Sequence, residues 1–285
     1  MKICTFDGGR VGVVHDEAVF DVTDIFFPDG LNVPWPYPRG DVVVERLPQL
    51  RDRLAERVES GAERKPLEAV KLGPSVATPG KIIGAPINYQ PHIDEANADK
   101  EINHGKTYTR IDDFGLFLKA NSSLAGCDTP IDIGFTDRRV DHEIELCAVI
   151  GKQGRAISYD DALDHIAGYT IGLDMTVRGK EFPDFRKSPD TFAVLGPYLV
   201  TADEIADPNA LDFELTVNGE VRQKSNTRDL VFNVQRLVEY ASHMYTLYPG
   251  DVIMTGTPAG VAPVKSGDRL VATIEGLGTL ATAVK

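Results

Sequence analysis

The chain has 285 residues, 42% of them hydrophobic and 26% charged, which is the balance of an ordinary globular protein long enough to bury its own core. Thirty basic and 43 acidic side chains leave a formal net charge of −13, a field that repels phosphate backbones and anionic lipid and so argues against nucleic-acid and membrane partners. No apolar run nears the roughly 18 residues that a membrane helix needs, and Cys4, Cys127 and Cys147 are too scattered for a disulfide framework, so a soluble cytoplasmic protein is expected.

The opening residues, MKICTFDGGRVGVV, put an acid and glycines where a signal peptide needs its apolar stretch. They read instead as short strands over 2–6, 10–15 and 18–21, separated by Asp7-Gly8-Gly9 and Asp16-Glu17. Residues 28–40, rich in proline and glycine, read as a loop. A helix is expected over 41–61, where Val43, Leu47, Leu50, Leu54 and Val58 recur at spacings of three and four. A polar connector over 63–79 then closes a small N-terminal domain at 1–75, and the main domain covers 76–285.

Strands dominate that second part, with segments at 81–87, 115–119, 141–150, 166–174, 198–201 and 213–217. Asn218-Gly219 between LTV and EVRQ is a strong hairpin signal. Helices are expected over 159–165, after a Ser158 cap, and over 232–246. Strands and helices do not alternate regularly, which argues against a doubly wound or barrel fold and for a β-rich α+β class. Residues 88–113 are polar and long for a connector, and read equally as a lid over a site or as a solvated excursion.

The segment Asp141-His142-Glu143-Ile144-Glu145-Leu146 carries the clearest chemistry. On a strand, Glu143 and Glu145 share a face, and the apolar residues that follow lead into the core. Two like charges so placed need a cation or a proton, unless the strand end is exposed and its polar face meets water. Asp174 ends another apolar run and adds a third acid. Hard carboxylate oxygens suit Mg²⁺, Mn²⁺ or Ca²⁺ over zinc.

His92 and Glu95, at i and i+3, would meet on one face of a helical turn, where a carboxylate makes imidazole a better base; as an isolated pair in a polar loop they also read as surface decoration. Thr257, in the loop TGTPAGV, offers a hydroxyl and an N–H to an anionic ligand, or belongs to a plain turn. P-loop, dinucleotide-fold, nucleophile-elbow and zinc-protease motifs are not found.

Together these segments resemble the fumarylacetoacetate hydrolase superfamily, which includes the fumarylacetoacetase-like and acylpyruvate hydrolase families. The resemblance spans about residues 79–285, through IIGAPINYQPH, DHEIELCAVIGK, GYTIGLDMTVR, RKSPDTFAVLGPYLV and GDVIMTGTPAGV in order. It implies a mixed β-sandwich roll preceded by a small N-terminal domain, and a homodimer. Glu143, Glu145 and Asp174 match the metal ligands, for Mg²⁺ or Mn²⁺, with Ca²⁺ a further option. His92 and Glu95 match the lid dyad, Lys187 the lysine that reaches substrate oxygens, Arg178 the arginine after the third ligand, and Thr257 the substrate-contacting threonine. Pro91 stands where many members carry an aspartate, and Pro189 where an aromatic is more usual.

The chemistry so implied is hydrolysis of a carbon–carbon bond in a 1,3-dicarbonyl acid, a small-molecule keto acid, through a metal-stabilised enolate, with His92 activating water. Decarboxylation or keto–enol isomerisation of an oxo-diacid is the alternative on the same fold. A noncatalytic small-molecule binder is the rival from another class, and it would need no base.

Overall fold

A computed structural model describes residues 1–30 and 39–285. The loop expected over 28–40 therefore lies, for residues 31–38, outside the described residues. The three N-terminal strands form as expected, at Lys2–Phe6, Arg10–His15 and Ala18–Asp21, and pair as a meander. Strand Lys2–Phe6 also pairs with Ala193–Thr201, so this meander joins a large mixed sheet. Beyond Ala193–Thr201 that sheet continues through Ile166–Asp174, Ile144–Ile150, Val252–Met254, Ile82–Gly84 and Phe117–Lys119. A four-stranded sheet of Glu220–Asn226, Asp212–Val217, Arg269–Ile274 and Gly278–Ala283 packs its buried face into the same core. With helices added to this predominance of strand, the chain has the β-rich α+β fold.

Local chemistry accounts for the elements. Helix Val42–Ser60 starts where the Asp41 side chain accepts from the N–H groups of Val43 and Val44, at 2.9 and 3.1 Å, and stops at Gly61 in the left-handed region. All five residues of the expected stripe join one apolar cluster against the sheet. Asn218 and Gly219 both take positive φ, 52° and 83°, as a tight hairpin between the paired Val217 and Glu220 requires. Helix Val234–Met244 begins at an Asn233 cap.

Three expectations are adjusted. The 159–165 helix reduces to a single 3₁₀ turn, Ala162–His165. The 63–79 connector contains a short strand, Arg64–Pro66, that extends the N-terminal meander. The strand expected over 141–150 breaks at Glu143. Its first part, Val140–His142, pairs with Thr176–Val177 and Ala262–Pro263 in a separate small sheet, and its second, Ile144–Ile150, is central in the large sheet and buried on both faces. The neighbouring chain leaves the large sheet after Asp174 in the same way. Two adjacent strands thus change sheets side by side, opening a corner in the core.

Candidate metal centre and active site

The three predicted carboxylates meet at that corner. Glu143, Glu145 and Asp174 are all buried, and one oxygen from each lies within 4.8 Å of the others. The pairing explains it: Glu145 faces Gly172 across the ladder, and the N–H of Asp174 donates to the Glu143 carbonyl at 2.9 Å. Gly172 is required there, because a Cβ would stand 2.4 Å from the Cys147 sulfur.

The surrounding cations are not shared evenly. Arg178 Nη2 and Lys187 Nζ donate to the two oxygens of Glu143 at 2.9 and 2.7 Å. Lys187 also donates to Asp174 Oδ2 at 2.5 Å and to Thr176 Oγ1 at 2.8 Å, which engages all three of its protons inside the cluster. Lys119 donates to the other oxygen of Asp174. Glu145 receives only the Gly256 N–H, at 2.6 Å, among the described residues.

The proton affinities follow from this partition. Burial alone would push the Glu143 carboxyl up, but Lys187 and Arg178 outweigh it and hold it well below the usual carboxylate range. For Glu145, burial and then the adjacent Asp174 carboxylate push it well above that range. Burial pulls Lys187 down, yet Asp174 and Glu143 more than restore it. Lys119 stays lowered by burial, despite Asp174.

Residues 88–113 fold into helices Gln90–Ala98, Lys100–Asn103 and Ile111–Phe114 and form one wall of a cleft of about 700 Å³ over the acids. Asn88 fixes the base of this wall, donating to the carbonyls of Phe232 and Thr255 and accepting from the Phe232 N–H. His92 and Glu95 do share a helix face. Nδ1 of the imidazole lies 2.9 Å from Glu95 Oε2, and Glu95 Oε1 accepts from the Gly260 N–H at 2.9 Å, tying the dyad to the TGTPAGV loop. With a proton on Nδ1 directed at the carboxylate, Nε2 is left as an acceptor.

His92, Glu143, Glu145, Arg178, Lys187 and Thr257 all line this cleft. Arg178 is also held by Asp141, its Nε donating to Oδ2 at 2.7 Å. Thr257 donates its hydroxyl to the Ile144 carbonyl at 2.8 Å and accepts from Gln223 Nε2 at 2.7 Å.

Sequence reasoning missed Lys119, Asp141 and Gln223. Lys119 shares a strand face with the buried Phe117, a local signal that a lysine there points inward. Gln223 carried no such signal. Its Oε1 accepts from the Ile144 N–H and its Nε2 donates to the Pro258 carbonyl, clamping the strand of the acids to the Thr257 loop.

The fold and this acid-lined corner define a protein of the fumarylacetoacetate hydrolase family, and the comparisons agree. The model for the fumarylacetoacetate (FAA) hydrolase C-terminal domain matches residues 81–285, so the chain belongs to that family. It is 50% identical to maleylpyruvate hydrolase of Aquipseudomonas alcaligenes, over 100% of this chain and 99% of the relative. A crystal structure of maleylpyruvate hydrolase from Sphingobium sp. SYK-6, in complex with a manganese(II) ion and pyruvate, superposes with a TM-score of 0.84 at 38% identity, covering 100% of this chain and 98% of that one. The mitochondrial oxaloacetate tautomerase of Rattus norvegicus is 37% identical over 73% of this chain and 67% of its own length. No helix among the described residues is long and apolar enough to cross a membrane.

Proposed function

We propose that the chain is a divalent-metal-dependent hydrolase that cleaves the carbon–carbon bond of an acylpyruvate, consuming one water and releasing a carboxylic acid and pyruvate. The observation that carries this reading is one cleft lined by a carboxylate-oriented imidazole and by Glu143 and Glu145, two members of a buried three-carboxylate cluster completed by Asp174. The full-length relative named maleylpyruvate hydrolase and the pyruvate in the Sphingobium complex support the same substrate class.

Glu143, Glu145 and Asp174 are the residues that would hold the cation. The donor set fits, being all hard oxygens, and Glu145 is a buried carboxyl with no cation of its own among the described residues. Mn²⁺ or Mg²⁺ is the fitting ion, and manganese is the one the Sphingobium enzyme binds. When bound, the cation supplies Lewis-acid polarisation of the keto-acid oxygens.

The remaining work falls to side chains. His92, oriented by Glu95, takes a proton at Nε2 from a water molecule as its oxygen bonds to the acyl carbon. The bond to the pyruvyl methylene then breaks, its electron pair stays on that carbon, and the proton held on His92 is returned there to complete pyruvate. Lys187 offsets the charge of the acids and of the anionic keto acid, while Arg178 and Thr257 contact the substrate along the wall they line.

A homodimer in the cytoplasm, with residues 1–75 as a small leading unit ahead of a catalytic unit at 76–285, belongs to the same proposal. The family match beginning at residue 81, the unpaired buried cysteines and the exposed Phe135, Phe182 and Phe185 support it.

The rat tautomerase supports a second reading, keto–enol exchange of an oxo-diacid, which uses the same acids but no attacking water. A paired assay separates the two: pyruvate release from acylpyruvates, and enol–keto exchange of oxaloacetate, each with Mn²⁺. Pyruvate release is expected. Exchange with no release would replace the first reading by the second.

A further inference from the structure

The wall that carries His92 is fastened to the rest of the protein at few points. Asn88 holds its base, and Glu95 reaches the Gly260 N–H. Farther along, Ala96 and Ile102 form only a small apolar cluster with Val261 and Tyr108, separate from the main core. Among the described residues, every salt bridge from residues 88–113 to the rest of the chain ends on one side chain, Arg139. The hydrolysis as derived above gives that arginine no part.

Arg139 is fixed from behind. Its Nε and Nη2 donate to the two oxygens of the buried Asp141 at 2.8 and 2.9 Å, a paired arrangement that sets the plane of the guanidinium. That leaves Nη1, whose two protons reach Asp99 Oδ2 at 3.0 Å and Glu101 Oε2 at 2.9 Å. Asp99 is held as well. Its other oxygen accepts from the Glu101 N–H at 2.8 Å as the cap of helix Lys100–Asn103, and its own N–H donates to the Glu95 carbonyl at 3.0 Å. Surface ion pairs are usually weak because two long side chains must be ordered to make them. Here Arg139 and Asp99 are already ordered by other bonds, so their attraction is largely kept. Behind Arg139, Asp141 Oδ2 accepts from Arg178 Nε, and Arg178 Nη2 donates to Glu143. One ionic chain, Asp99–Arg139–Asp141–Arg178–Glu143, thus runs from the turn after the His–Glu dyad to the acid cluster.

We infer that Arg139 is a positioning residue for the general base: it latches the far end of the helix that carries His92 to the strand that leads into Glu143, and so sets where the imidazole stands relative to the acids. The role in the reaction rests on the reading of His92 as the base; the latch on the wall does not. Displacing a reacting group by about 1 Å can cost on the order of 10²-fold in rate, so a wall held only at Asn88 and Glu95 would carry a base poorly. Arg139 does not line the cleft and acts only through Asp99 and Glu101.

The test cuts the latch from the side of the wall, so that Arg139, Asp141 and Arg178 keep their mutual bonds. Asn is as good a helix cap as Asp, and Glu101 is exposed, so the double variant Asp99→Asn with Glu101→Gln is expected to fold as the wild type does. Hydrogen exchange on the Mn²⁺-loaded full chain should show protection of the amides of helix Gln90–Ala98 falling about tenfold, the worth of a charge-assisted hydrogen bond. Asp94→Asn, which removes an exposed acid of the same helix that bonds Gln90 and not Arg139, should leave protection unchanged. With acetylpyruvate, kcat of the double variant should fall about tenfold or more. KM, and the Mn²⁺ affinity measured by calorimetry, should stay within about twofold, because the acids and their cations are untouched. Unchanged protection in the double variant, an equal loss in Asp94→Asn, an unchanged kcat in a wild-type-active assay, or a loss carried by KM or by Mn²⁺ affinity would each overturn the inference. If the wild type cleaves neither acetylpyruvate nor maleylpyruvate while protection falls as expected, the hydrolase reading fails and the latch stands.

Discussion

Glu143 and Glu145 differ by one turn of the strand pleat, yet the same substitution should affect the metal-free protein differently at the two. Glu143 is the shared anion of two buried cations, Arg178 and Lys187. Glu143→Gln removes its charge and leaves both with one partner fewer, a change that costs about 3–5 kcal/mol when a buried pair is broken. Glu145 has only a backbone N–H, and burial and Asp174 already hold it toward its neutral form. Glu145→Gln keeps the shape, and its amide oxygen still accepts from Gly256, so metal-free stability should stay level or rise.

Both variants should lose the response to metal. A site at 100 times its Kd stabilises a fold by about 2.7 kcal/mol. At roughly 2 °C per kcal/mol for a chain of this size, that is a rise in Tm of about 5 °C. Urea unfolding in EDTA gives the first comparison, and thermal melts with and without Mn²⁺ give the second. Equal destabilisation of the two variants in EDTA would refute the charge partition argued here. A full Mn²⁺ response in both would refute the triad as the site.

The difference in stability between wild type and Glu145→Gln should depend on pH. The folded protein holds a proton on Glu145 that the unfolded chain has released, so this contribution is present below the ordinary carboxylate range and is lost as pH rises toward the folded value. Binding needs the ionised form, so the Mn²⁺-induced rise in Tm should grow with pH over that interval, and a flat or falling profile contradicts it. His92→Ala should lower kcat for acylpyruvate cleavage by about 10²–10⁴-fold, while the Mn²⁺ response in Tm persists; wild-type turnover would remove His92 from the mechanism. Gly256, at φ 102°, has its would-be Cβ 2.7 Å from that of Asn88, so Gly256→Ala should displace the N–H that holds Glu145 and weaken Mn²⁺ binding measured by calorimetry. Asp41→Ala removes two cap bonds and two more to Thr78, and urea unfolding should show a loss of about 2 kcal/mol, the upper end for a helix cap.

What the sequence disclosed and what it hid divide by range. The N-terminal strands, the first long helix and the Asn218-Gly219 hairpin were legible because turn residues and hydrophobic periodicity act over a few residues. The carboxylates were legible because a charge closing or interrupting an apolar run stands out on the page. The resemblance pointed to Lys187 and Arg178 and not to Lys119, but how the cations apportion charge among the acids was not legible, since Lys187 reaches Glu143 across 44 residues, Arg178 across 35, and Lys119 reaches Asp174 across 55. Lys119 reads as the polar end of a short edge strand until that strand pairs with Ile82–Gly84.

The break at Glu143 was hidden for a related reason. The alternation of Glu143-Ile144-Glu145-Leu146 runs straight through the break, so no residue marks where pairing passes from one sheet to the other. Yet that break has a physical consequence for the site. In an uninterrupted ladder, Glu143 would have lain beside strand neighbours that leave no room for a ligand. Because the chain and its partner strand leave the large sheet at 143 and 174, the acids cluster at that corner, and Glu143 and Glu145 line the cleft that the helix carrying His92 also lines. The identity of the acids comes from the local sequence, and their convergence from the point at which two sheets part.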